Sequence, residues 1–143
     1  MAPAEPDPRS VIYEGKPLDA SRRQIRLLTL QAGQWHSPIC CDLAPQSLDS
    51  NPDYQALSYA WGSTDKNTKD ITINGRPFPV LPNLHSILKR LRRNIKGENL
   101  VLWIDAICIN QTGSEAGSLE KSSQIQMMAT IYLHCREALI WMG

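Results

Sequence analysis

No apolar run in this sequence approaches the length of a membrane span, and neither charge sign is in excess, the formal net charge being +1. The first absence leaves no candidate for a membrane-spanning helix in this sequence. The second removes any general reason to expect nucleic acid or an anionic membrane as partner. No Cys-x-x-Cys pair occurs, and His36, His85 and His134 show no His-x-x-x-His spacing, so no metal site is expected. Cys40, Cys41, Cys108 and Cys135 read instead as small apolar fillers. Gly-x-Gly-x-x-Gly and Walker patterns are missing, which argues against a phosphate-gripping loop. The first eight residues, MAPAEPDP, lack the basic start and apolar core of a signal peptide. Residues 1–20 are therefore expected to be a disordered or loosely ordered lead-in, and the compartment to be the cytoplasm.

What remains is 143 residues, 42% hydrophobic and 20% charged, enough for one domain with a real core. Residues 24–30 and 39–43 read as two strands of an N-terminal hairpin, followed by a polar loop over 44–53. Residues 55–59 make a short apolar strand. Asn74-Gly75, between 70–73 and 76–80, predicts a type I′ hairpin, and Pro77 and Pro79 assign its second arm to a sheet edge. A helix is expected from Pro82-Asn83, with Asn83 as N-cap and Leu84, Ile87, Leu88 and Leu91 as its buried stripe. Residues 99–109 read as a buried strand and 112–118 as a loop. Residues 119–135 read as a helix burying Ile125, Met128, Ala129, Tyr132 and Cys135, and 138–142 as a last strand. From Tyr54 onward, strands alternating with helices imply a mainly parallel α/β sheet.

The tract Leu102-Trp103-Ile104-Asp105-Ala106-Ile107-Cys108-Ile109-Asn110-Gln111 carries most of the chemical information. A carboxylate buried without partners costs several kcal/mol or becomes protonated, so the fold must supply donors for Asp105. Ligands of parallel sheets gather beyond the carboxyl ends of the strands. The corresponding candidates are Ser58, Tyr59, Trp61, Gly62, Asp105, Asn110 and Gln111, suited to a polar ligand with a ring for Trp61 to stack on. Tethering of the strand ends is the competing reading, weightier for Asn110 and Gln111. Glu120 is a second candidate catalytic carboxylate, though acidic residues in a first helical turn also favour the helix dipole. Lys89, Arg90, Arg92, Arg93 and Lys96 lack interleaved aromatics and read as a solvated helix face.

Three ordered segments, Tyr54-Gln55-Ala56-Leu57-Ser58-Tyr59-Ala60-Trp61-Gly62, the tract 102–111, and 124–143 with its Ile140-Trp141-Met142-Gly143 end, resemble the fungal heterokaryon incompatibility (HET) domain. The resemblance runs from about residue 25 to the end, with 21–143 taken as the domain. It implies a module of programmed cell death in non-self recognition, acting through protein partners or self-association. It also implies a distant likeness to TIR domains, hence a flavodoxin-like sheet flanked by helices, with no resident cofactor and NAD as the substrate or ligand to consider. The TIR catalytic glutamate lies on the helix after the third core strand, here 138–142, so no residue of this chain inherits it and Glu120 sits one helix earlier. The chain is accordingly expected to be a weak enzyme or none. A chain ending at a strand is expected to be an incomplete domain, from a longer protein or a short variant that modulates full-length relatives.

Overall fold

A computed structural model describes residues 7–14, 17–61, 67–93, 95 and 99–141. It contains seven strands, β1 (Gln24–Leu30), β2 (Cys40–Ser47), β3 (Gln55–Tyr59), β4 (Lys69–Ile73), β5 (Arg76–Val80), β6 (Leu100–Ile104) and β7 (Glu137–Trp141). Four helices accompany them: α1 (Ser10–Glu14), α2 (Pro82–Arg93), the single turn α3 (Asp105–Cys108), and α4 (Glu115–His134). All seven strands join one sheet in the order β5-β4-β2-β1-β6-β3-β7.

The fold is α/β, but the sheet is mixed rather than mainly parallel. The N-terminal hairpin is the reason. Instead of standing apart, β1 pairs antiparallel with both β2 and β6, and so extends the parallel group β6-β3-β7. Burial explains this placement: Ile25, Leu28 and Leu30 are wholly inaccessible, and an edge position would leave them in water. β2 continues to Ser47 through residues expected to be loop. The Leu43 N–H donates to the Asn74 side chain, away from β1, so the nitrogen of Pro45 two residues on faces the same way and deprives β1 of no donor.

The second hairpin follows its turn signal. Asn74 and Gly75 have φ of 53° and 79°, and β5 with its two prolines is the outermost strand. Asn74 contributes twice, because its side-chain amide pairs with both the N–H and the C=O of Leu43, as a strand residue would.

α2 begins at Pro82, which suits the first helical position, where a missing N–H costs nothing. Asn83 therefore lies inside the helix and is not its N-cap; its side chain donates to the Ala60 carbonyl at 2.6 Å. Leu84, Ile87 and Leu88 are buried as expected. Arg92 is not part of a solvated face: it is 3% exposed and its guanidinium donates to the carbonyls of Gln34, Trp35, Ser37 and Pro38.

The expected strand 99–109 stops at Ile104, and Asp105 opens α3. α4 starts earlier than expected, capped by the Ser114 hydroxyl on the Gly117 N–H. Its inward face also differs, since Gln124 and Ile131 are buried while Ile125 and Ala129 face out. Within the segment read as a lead-in, α1 buries Ile12 and Tyr13, and Tyr13 donates its hydroxyl to the Ile107 carbonyl at 2.5 Å. Among the described residues, no helix is long and apolar enough to cross a membrane.

Candidate functional site

β3 lies between β6 and β7 and runs parallel to both, so the carboxyl ends of all three strands lie side by side. Leu57 is opposite Ile104, Ser58 opposite Ile140, and Tyr59 opposite Trp141. This register sets Asp105, the residue after Ile104, against the end of β3. Its carboxyl is raised from its ordinary value, chiefly by burial; the Trp61 side chain and the Ala106 N–H bond to the charged form and partly offset that. Burial also raises the Tyr59 and Tyr132 phenols, and the Asp105 charge adds to both shifts. Ser58 hydrogen-bonds to Tyr132. The strand ends thus gather one carboxyl, two phenols, an indole and a hydroxyl.

Ser58, Tyr59, Trp61 and Asp105 come together in this cluster. Gly62 lies outside the described residues. Tyr132 joins the cluster although sequence reading placed it among the core residues of α4; its ring meets Trp103 edge to face at 5.6 Å. Local sequence carries no sign of this, because the encounter depends on how α4 crosses the sheet.

Beside the cluster is a cavity of about 470 Å³ lined by Tyr59, Trp61, Phe78, Leu84, Ala106 and Gln111, with Pro8 and Arg9 of the N-terminal segment at its rim. Its walls are largely apolar and aromatic, which suits a ring-bearing ligand. Asp105 is not part of that wall. Gln111 also donates to the Asp105 carbonyl at 3.1 Å and so closes the α3 turn. Asn110 uses its side-chain oxygen on Thr112, accepting from both the N–H and the hydroxyl, as in an Asx turn.

Glu120 occupies a different place. It lines a second cavity, about 530 Å³, together with Tyr13, Arg26, Asn110, Ser123 and Gln124. One of its oxygens meets the Arg26 guanidinium at 2.5 Å, and the other accepts the Asn110 N–H at 3.0 Å. Arg26 is 2% exposed, donates to the Cys108 carbonyl and lies over the Tyr13 ring at 4.8 Å. Glu120, on α4, thus ties β1 to the loop after α3. Cys108 lies between the two sites, fully buried, and burial pushes its thiol up to about 12, which leaves it an inert filler at neutral pH. Among the described residues no cluster of His, Cys, Asp and Glu has the makings of a metal site.

A family model described as heterokaryon incompatibility protein (HET) matches residues 54–143, which include β3, the Asp105 tract and α4. Heterokaryon incompatibility protein 6, OR allele, of Neurospora crassa is 33% identical over an alignment covering 92% of this chain and 20% of that protein. The chain thus spans about a fifth of the length of that relative. No solved structure matches it. On the breadth of the family match and the identity to that relative, the chain belongs to the heterokaryon incompatibility (HET) family.

Proposed function

We propose that the chain acts in the fungal cytoplasm as a cell-death module of non-self recognition, working through contact with other protein chains, including copies of itself. The observation that carries this reading is the set of large aliphatic side chains that α4 and β7 leave in water. Leu133, Ile140 and Ile125 are 82%, 70% and 51% exposed, and β7 is the outermost strand on its side of the sheet. Large aliphatic side chains left in water beside a strand edge mark an association surface. The Neurospora crassa relative, named as a heterokaryon incompatibility protein, supports the biological setting. The test is light scattering during size exclusion over a concentration range. The native chain should move to dimers or larger species, and a Leu133→Glu, Ile140→Glu variant should stay monomeric and lose its toxicity to hyphae. A native chain that is monomeric throughout and harmless when expressed would end this reading.

The Asp105 cluster supports a second reading, a TIR-like nucleotide-binding or NAD-cleaving site. The parallel group β6-β3-β7, with a carboxyl at its C-terminal edge beside an aromatic cavity, is what favours it. Breaking a nicotinamide–ribose bond builds oxocarbenium-like charge, which an ionised carboxylate stabilises. Nicotinamide release from NAD, followed by chromatography, tests this. Turnover that Asp105→Ala abolishes supports the NAD-cleaving form of the reading, and absence of turnover in the native chain removes that form.

A further inference from the structure

Between residues 71 and 97 the sequence carries Arg76, Lys89, Arg90, Arg92, Arg93 and Lys96 and not one carboxylate, although the whole chain is nearly neutral. Residues 31–41 are also free of Asp and Glu. The structure packs these two acid-free segments together, with Arg92 at the joint. Four carbonyls of the 34–38 loop converge on its guanidinium, three of them at 2.7, 2.8 and 2.9 Å. Gly33 lets the loop close down, since a Cβ there would come within 3.2 Å of Arg92 Nη1. A buried guanidinium devoted to one loop fixes that loop's shape, and what the loop presents is Trp35.

Trp35 is 42% exposed even though Lys89 Nζ lies 4.3 Å from its ring centroid. Arg90 and Arg93 are exposed on the same helix. The helix itself lacks an aromatic partner for its cations, and the loop supplies one from fifty residues upstream. Nothing in the local sequence of α2 signals this.

We propose that Trp35, Lys89, Arg90 and Arg93 form a binding surface for a single-stranded polynucleotide, with one base stacked on Trp35 and the neighbouring phosphates met by the three cations. Base-on-aromatic stacking combined with a cationic track is how unpaired strands are held without sequence preference. A duplex keeps its base faces covered and offers Trp35 nothing to stack on. An acidic peptide would satisfy the cations but leave the fixed indole unused.

The test is fluorescence anisotropy of end-labelled 15-mers, oligo(dT) and oligo(U), with the purified chain. Both strands should bind at 50 mM salt. Three phosphate contacts predict a loss of affinity of about 20-fold on going to 200 mM. Trp35→Ala should weaken binding about ten-fold with the salt slope unchanged, and Trp35→Phe should recover part of that loss. Lys89→Gln with Arg90→Gln and Arg93→Gln should flatten the salt dependence. Both Trp35 variants leave the backbone that Arg92 holds, and matching thermal melts will confirm that they are folded. The proposal is overturned if the native chain binds neither strand at 50 mM salt, if both Trp35 variants bind like the native chain, or if the hybridised duplex binds as well as the single strand. Preferential binding to phosphatidylserine vesicles over both oligonucleotides would equally overturn it.

Discussion

Glu120 and Asp105 are both carboxyl groups drawn largely out of water, and the protein treats them in opposite ways. Glu120 has a guanidinium on one oxygen and a backbone N–H on the other. Asp105 has an indole and backbone N–H groups, but no ion pair reaches it among the described residues, and Lys121 is only a minor influence. A carboxylate with a fixed counter-charge is a fastening. One at the ends of parallel strands, held by neutral donors and ringed by phenols, retains chemistry that the fold does not consume. Of two acidic residues fifteen positions apart, Asp105 is therefore the one to follow for function.

The largest effect should come from breaking the fastening. Arg26→Met leaves Glu120 buried beside an apolar side chain, and losing one partner of a buried pair costs about 3–5 kcal/mol. Urea unfolding would read this as a lower midpoint. Arg26→Met combined with Glu120→Leu should recover much of the loss, since no charge is then left unpaired. A small effect from the single variant would mean that Glu120 is hydrated, and the contrast with Asp105 would fail. Arg92→Met tests a buried guanidinium whose partners are neutral carbonyls. The loop carbonyls can turn to water, so a smaller loss of about 2 kcal/mol is expected, with a red-shifted tryptophan emission as Trp35 loosens. Tyr13→Phe removes one buried hydrogen bond to Ile107, two residues beyond Asp105, and should cost about 1 kcal/mol. If it also alters Asp105 titration, α1 belongs to the strand-end site and does more than cover the core.

Much of this arrangement was legible in the residues. Asn74-Gly75 and the paired prolines defined a hairpin and its edge position because turn chemistry is local. The candidates Ser58, Tyr59, Trp61 and Asp105 meet because two short parallel strands carry them to the same end, which follows from topology. Local pattern failed where tertiary contacts decide. Ile107 and Cys108 have strand-like side chains, yet they form a helical turn whose end Gln111 ties to the Asp105 carbonyl. Arg92 reads as a surface cation in sequence, and only the 34–38 loop, more than fifty residues earlier, buries it. Arg26 alternates with apolar residues in β1 like an exposed strand position; its partner Glu120 is ninety-four residues away. Long-range ion pairs and loops leave no periodicity to read.

The smallest effect, and the most direct test of the contrast, is the pH dependence of Asp105→Asn. Its carboxyl is raised above 3.8 in the folded chain, so over the pH range just above 3.8 the folded state keeps a proton that the unfolded state has released. Stability in that range therefore falls as pH rises, until the folded group has also ionised. Asparagine cannot ionise, yet its side-chain oxygen still accepts from Trp61 and the Ala106 N–H. The Tm advantage of Asp105→Asn over the native chain should thus be least near pH 3.5 and grow toward pH 7. An Asp105→Asn difference that stays constant across the range would place that carboxyl in ordinary solvent, and the strand-end cluster would then hold no carboxyl drawn out of water.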